Sequence, residues 1–439
     1  MKYTRRKFIA ATATGVVATA VSPVVKAGNK IETKNAIFEV DSEKSSKENM
    51  EITNRVSPSE FIIFPWGGMP DTPSKGKWGD ISDINEMMTD LFDCGFNTSG
   101  FTSANYIREI RNNNLRGILT AGINVSKEIT QGEADKTIEK LMSTITDPED
   151  RKAVHAIYIV DEPSASLFPK LYIWSNAIKK QGVLPYINLF PDYAGPVALG
   201  TKDYEEHLDK YFETCRPPYI SYDNYSLFEN GILEEDRFFG NIELVRNKSL
   251  QAGIPFWNVI LSNGHFSYAE PSDATLSIQV YSTLAYGGKG IGYFTYYTPQ
   301  VGNYRLAPID RFGYHTKTWE MIRNINLQIH SLAPIYCKLK SINVFHTLEV
   351  PRNGRGIESA QLVESISDSS LLVGEFIDTY GKPYALVVNK SMNSSIVFDI
   401  EFKKKGQVMI VSQFNQGQVP FIGEQKWLSP GCGVLLTLE

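Results

Sequence analysis

The chain has 439 residues, with 44 Lys and Arg against 49 Asp and Glu, a formal net charge of −5, and 42% hydrophobic and 12% aromatic residues. That length is enough for one large domain and a smaller one. The acidic balance leaves no basic footprint for nucleic acid, and no later apolar run is long enough to span a bilayer.

Residues 1–27 stand apart. Thr4-Arg5-Arg6-Lys7-Phe8-Ile9 precedes a mild Ala/Thr-rich apolar stretch, and Val25-Lys26-Ala27 puts small residues at the −3 and −1 positions of a cleavage site. This is the pattern of an N-terminal export signal, of twin-arginine type or with the basic start of a general secretory one. The segment carries five bases and no acid, so its removal leaves 39 of the 44 bases against 49 acids, a net charge of −10. A periplasmic or secreted location follows as an expectation. Residues 28–58 are polar and charged and read as a linker.

From Phe61 short apolar strands alternate with amphipathic helical stretches. The strands are FIIFPWGG (61–68), FNTSGF (96–101), RGILTAG (116–122), AIYIVDEP (156–163), LPYINLF (184–190), PYISYDNY (218–225), FWNVILS (256–262) and GIGYFTYY (290–297). Helical periodicity fills the intervals, and Gly95, Gly182, Gly253 and Gly287 sit just past the last turns, as helix stops do. Eight such units predict an α/β fold, a (β/α)8 TIM barrel over 59–340. A doubly wound open sheet is the alternative, but no Gly-rich phosphate turn follows an early strand. After about Ser341 the helical period gives way to short alternating stretches, which predict a C-terminal all-β sandwich over 341–439.

Barrels of this kind carry their active sites at the C-terminal ends of the strands. Those ends offer Trp66, Asp161 and Glu162, Asn188, then Tyr222, Asp223 and Tyr225, Trp257 and Asn258 with His265 beyond, and Tyr296 and Tyr297. Carboxylates at two ends, with aromatics and amides at the others, suit a neutral polyhydroxylated ligand. Cleavage of a glycosidic bond needs two carboxyl groups. Glu162 has the reach for the general acid, and the neighbouring Asp161 opposes its ionisation. Asp223 is the second carboxylate, ahead of Glu270 in the loop SYAEPS. Capping of the next helix by Asp161 or Glu162 is the structural alternative.

The Asp-Glu-Pro ending on strand 4 resembles the acid/base signature of the clan of (β/α)8 glycoside hydrolases that includes families 5 and 42. LAYGGKGIGYFTYY (284–297) resembles the last helix–strand unit of family 42-like β-galactosidase barrels, and with YINLFPDYA and ISYDNY the segment 61–340 is similar to glycoside hydrolases of Bacteroidetes. The resemblance implies a glycosidase acting on a polysaccharide or oligosaccharide, and the N-terminal segment implies its export. The sequence departs from it at strand 7, where the clan carries its nucleophilic Glu and FWNVILSNGH has no acid. Two other readings stay open: a carbohydrate-binding barrel without catalysis, and a substrate-assisted hexosaminidase using Asp161 and Glu162. The cysteines (Cys94, Cys215, Cys337, Cys432) and histidines are dispersed, so neither a metal nor an organic cofactor is expected. A carbohydrate is the expected partner.

Overall fold

The computed structural model describes residues 61–67 and 83–439; the export signal and the linker expected before them lie outside the described residues. The eight barrel strands are β1 (Ile62–Pro65), β2 (Thr98–Thr102), β3 (Arg116–Thr120), β4 (Val154–Asp161), β5 (Leu184–Asn188), β6 (Ile220–Asp223), β7 (Phe256–Leu261) and β8 (Gly290–Phe294). Around them lie α1 (Ile84–Asp93), α2 (Ile107–Asn112), α3 (Gln131–Ser143), α4 (Pro148–Ala153), α5 (Phe168–Lys179), α6 (Pro196–Leu199), α7 (Tyr204–Cys215), α8 (Glu235–Ala252), α9 (Asp273–Ala285) and α10 (Lys317–Tyr336). Six of these ten helix starts are fixed by side chains, as where Thr130 and Glu133 exchange bonds at the head of α3. The short helices α4 and α6 were not legible as separate elements, each being only a turn or so long and begun by a proline.

The strands form two parallel arcs, β1-β8-β7-β6 and β2-β3-β4-β5. Between β5 and β6 the arcs are joined by Leu189 N donating to Ser221 O at 2.8 Å. Between β1 and β2 the Asn97 side chain replaces part of the ladder. Its Nδ2 donates to Phe61 O at 2.7 Å, and its Oδ1 accepts from Ile63 N at 2.9 Å. The circle closes as a (β/α)8 barrel.

The lumen is filled from below by large side chains: Trp257 stacks on Tyr219 with ring centroids 3.9 Å apart, and Phe64 meets Tyr186 edge-on at 5.6 Å. Strand β8 has to yield to them. A Cβ on Gly290 would lie 2.7 Å from Trp257 Cδ1, and one on Gly292 would lie 2.7 Å from Phe64 Cζ.

The C-terminal part contains β9 (Lys340–His346), β10 (Val363–Ile366), β11 (Leu371–Ile377), β12 (Pro383–Asn389), β13 (Ile396–Val397), β14 (Ile400–Phe402), β15 (Val408–Val411), β16 (Gln418–Pro420), β17 (Trp427–Leu428) and β18 (Gly433–Leu438). A six-stranded sheet, β16-β15-β18-β12-β11-β9, is backed by the two-stranded ribbons β10-β14 and β13-β17. Its inner strands are apolar on both faces because each face meets a different core. Val373, Val387 and Leu436 face a core shared with Phe398 and Phe402, while Leu372, Leu386 and Leu435 join the barrel's core.

Helix α9 lies between the sheet and the barrel, and all its residues from Leu276 to Ala285 are buried. The approach is close, since a Cβ on Gly374 would sit 2.0 Å from Ala285 O. Cys94 and Cys215 are buried thiols, and burial pushes the Cys215 thiol up to about 12.

Two expectations follow. Asn97→Ala strands a buried N–H and a buried C=O at the β1–β2 seam. It should lower unfolding stability by about 1–3 kcal/mol or more in a denaturant titration, whereas a surface substitution such as Lys405→Ala should not. The second concerns pH. Burial, with the Lys390 charge beside it, lowers His346 from 6.5 to about 3, and burial lowers His207 to about 4. The folded chain keeps both neutral while the unfolded chain binds protons near pH 6.5, so the stability they contribute is complete above that pH and lost as pH falls toward the folded values. The urea midpoint should therefore drop between pH 7 and pH 5, by less in a His346→Gln variant.

Candidate active site

At the C-terminal ends of the middle strands three polar side chains meet. Asn188, at the end of β5, donates from Nδ2 to Asp161 Oδ1 at 3.2 Å and to Asp223 Oδ1 at 2.7 Å. Ser221 Oγ donates to Asn188 Oδ1 at 2.9 Å, and the Tyr186 hydroxyl lies 3.0 Å from Ser221 Oγ. The amide is thereby oriented without ambiguity: its oxygen takes a hydroxyl proton and its nitrogen faces two acceptors.

Asp161, Asn188 and Asp223 are 6%, 0% and 1% exposed, so the cluster is shut away from bulk water. Sharing one nitrogen keeps the two bonded carboxylate oxygens within about 6 Å of each other.

Glu162 follows directly. Its backbone N–H donates to Asn188 O at 2.8 Å, and its φ of 46° turns the chain out of the strand direction. The residue is half-buried and so more accessible than the two aspartates. A left-handed conformation at a non-glycine residue costs of order 1 kcal/mol, and such strain clusters at functional sites.

Opposite the carboxylates the wall is aromatic. Trp66, at the end of β1, meets Phe101 at 5.2 Å and Phe294 at 5.6 Å between ring centroids. Phe101 stacks on Tyr158 at 4.4 Å, and Phe294 stacks on Tyr225 at 5.6 Å. His265 lies parallel to Tyr304 at 4.7 Å and touches Phe294 at 5.5 Å. The mouth is thus divided: β4 to β6 supply acids and an amide, while β1, β2 and β8, with Tyr158 of β4 and the loops after β6 and β7, supply rings.

Of the residues named from sequence, Trp66, Asp161, Asn188, Asp223, Tyr225 and His265 are placed at this mouth, with Glu162 at its edge. Five others are not, and each is a correction. Tyr222 is buried on the outer side of β6, where its hydroxyl feels Tyr204 of α7 and Tyr286 just after α9. Asn258 also faces outward, donating to Thr283 of α9 at 2.9 Å. Trp257 points inward, but from the second position of β7, where it stacks beside His155 at the start of β4. It belongs to the bottom of the lumen.

Tyr296 turns toward α1 and α10: its hydroxyl donates to Asp90 Oδ2 at 2.5 Å and accepts from Trp319 Nε1 at 2.9 Å. Tyr297 packs edge-on against Tyr296, and burial together with the Asp90 charge raises its phenol. Glu270 is held at the rim by Arg305 Nε at 2.6 Å, and Arg305 also pairs with Glu229.

Phe101, Tyr158, Phe294, Ser221 and Tyr304 also lie at this mouth, beyond the residues expected there. Of these, Phe294 was within reach from sequence. Counting by twos from Gly290 and Gly292, whose missing side chains face the lumen, brings Phe294 inward.

No family model matches the sequence, and neither does any curated protein. Solved structures of similar shape include a family 39 glycoside hydrolase from Bacteroides cellulosilyticus, at 9% identity over 88% of this chain and 82% of that one, with a TM-score of 0.49. A family 51 α-L-arabinofuranosidase from Bifidobacterium longum is 10% identical over 88% and 96%, with a TM-score of 0.48. An endo-β-1,4-glucanase from Xanthomonas axonopodis is 9% identical over 62% and 99%, with a TM-score of 0.43. At such identities these likenesses carry no information on which residues react.

The Asn188 cluster makes its own prediction. Asn188→Ala removes the shared donor from two buried acids, whereas Asn188→Asp adds a third acid to them. The second variant should be the less stable by at least about 1 kcal/mol in chemical denaturation at pH 7, although it is closer to isosteric.

Proposed function

We propose that the protein is a glycoside hydrolase that cleaves its substrate by carboxylate catalysis at the mouth of the barrel. The observation that carries this reading is the Asn188 amide nitrogen bonded at once to Asp161 and Asp223, opposite a wall of aromatic rings. Sugar rings present apolar C–H faces to aromatic side chains and hydroxyls to acids and amides, and the divided mouth offers both.

In this reading Glu162 is the general acid. It stands beside the pair, on the accessible side, where it can reach a glycosidic oxygen. Asp223 is the second carboxylate, aimed by Asn188 at the anomeric carbon. Its burial keeps solvent away from an oxocarbenium-like transition state, where a fixed negative charge is most effective. Asp161 shares the same amide nitrogen and helps fix the orientation in which Asn188 meets Asp223. Export to the periplasm or beyond belongs to the same proposal, from the basic and then apolar N-terminal segment.

One observation favours a second mechanism on the same site. Two buried aspartates on a single amide are placed to orient a neutral group as well as to attack one, which is the task they would have if a substrate acetamido group were the nucleophile. Inhibition by a thiazoline derived from N-acetylglucosamine would select that mechanism.

The deciding experiment uses aryl glycosides graded by leaving group. Glu162→Gln should lose about 10²–10⁴ in kcat/KM on poor leaving groups and far less on dinitrophenyl glycosides, which depart without a proton. Asp223→Asn should lose both alike. Equal turnover by parent and Glu162→Gln on the poor leaving groups would remove Glu162 from its role. Sugar binding without turnover in the parent would establish a binding barrel instead.

A further inference from the structure

The loop between β9 and β10 crosses from the C-terminal domain onto the barrel and is fastened there by charged groups. Lys390 Nζ, whose side chain is fully buried, pairs with Glu235 at 2.7 Å and donates to Leu348 O and Glu349 O of this loop. Arg355 pairs with Glu243 of α8 at 2.6 Å. Between them Arg352 lies across α8. Its backbone N–H donates to Asp236 Oδ1 at 2.7 Å, and its guanidinium pairs with Asp192, in the loop after β5. A Cβ on Gly240 would lie 3.1–3.3 Å from Arg352 atoms, so the helix is bare where the arginine passes.

Asp192 is not a surface residue finding a chance partner. Its side chain is 3% exposed, and among the described residues its Oδ1 has no hydrogen-bond partner, so Arg352 supplies its ion pair. The Asp192 N–H donates to Asn241 Oδ1 at 3.1 Å, and the same oxygen accepts from Asn224 Nδ2 at 2.9 Å. Asn224 is the residue after Asp223. On the other side Tyr193, next to Asp192, lies 3.3 Å beneath the Arg237 guanidinium and accepts from Tyr225 N through its hydroxyl at 3.2 Å. Both branches therefore end on the segment that leaves β6 at the mouth.

We propose that Arg352 is a positioning residue for the barrel's site: by holding Asp192 it fixes the loop after β5 and, through Asn241, Asn224 and Tyr193, the segment carrying Asp223. The functional weight of that segment rests on the reading of Asp223 given above; the coupling itself does not. Burial raises the Asp192 carboxyl even against the Arg352 and Arg237 charges, so loss of the Arg352 ion pair pushes this group further toward neutralising or moving, and the loop with it. The β domain is then part of the site's construction and not only an appendage.

Hydrogen exchange followed by mass spectrometry on the full chain tests this without requiring turnover, so failure of the glycosidase reading leaves the result interpretable. In Arg352→Ala, amides of 190–195 and 223–228 should exchange about tenfold faster or more, while β11 and α3 keep their parent rates. Arg352→Lys should restore part of that protection, and Lys405→Ala, which removes an exposed base from the same domain, should change neither segment. Asp192→Asn added to Arg352→Ala should give no more than either single substitution, because both act through one contact. Unchanged exchange in the two segments, or uniform acceleration across both domains, would overturn the proposal. If Arg352→Ala does not fold, the comparison of Arg352→Lys with Asp192→Asn decides by the same segments.

Discussion

Two aspartates share one amide nitrogen at the end of β5, and much of the molecule serves to make that arrangement tenable. If both carboxylates are ionised at about 6 Å, they repel by roughly 3 kcal/mol at an effective dielectric constant of 20. A single hydrogen bond contributes about 1 kcal/mol net, or somewhat more when an acceptor is charged. In that case the cluster needs support beyond the two Asn188 bonds. Part of it is a relay in which Asn188 is oriented by Ser221, Ser221 by Tyr186, and Tyr186 by the packed lumen beneath.

That dependence gives the seam between the two arcs of the barrel its importance. Asp161 ends β4, Asn188 ends β5 and Asp223 ends β6, so the cluster spans the β5–β6 join, where regular pairing is reduced to a bridge between Leu189 and Tyr222. Any slip at the seam would alter the distance from Asn188 to Asp223 before it affected the rest of the sheet. A buttress on this side therefore does more than one elsewhere. The charged contacts that α8 and the loop after β5 receive from the C-terminal domain lie on this side.

The sequence revealed the strands and the general location of the site far better than the orientation of its side chains. Eight strands were legible because each runs into a break rich in Gly, Pro or Asn, and because helical periods of sufficient length separate them. The jump from Val160 to Asp161 was legible as a boundary between core and mouth. Orientation was not, because these strands are buried on both faces and apolar residues do not alternate with polar ones. Tyr222, Asn258 and Tyr296 face the helices, where a phenol or an amide finds a partner as readily as in a cleft. Trp257 failed on height, since an aromatic at the start of a strand fills the lumen from below. The Arg352–Asp192 contact joins residues 160 positions apart, and no local pattern announces it.

The aromatic half of the mouth follows from the same filling. Trp257 and Phe64 occupy the lumen at the level of Gly290 and Gly292, and neither glycine could carry a side chain there without a contact under 3 Å. The first residue of β8 with room to enter is Phe294, at the mouth, where it meets Trp66 from the neighbouring strand. Strands β4 to β6 instead bring the small polar Ser221 above Tyr186, leaving space for an amide and two carboxylates. The acid half and the aromatic half are thus two outcomes of one packing constraint: where large rings fill the lower lumen, only residues at or near the strand ends are left to face a ligand, and the residue types there set the character of each side.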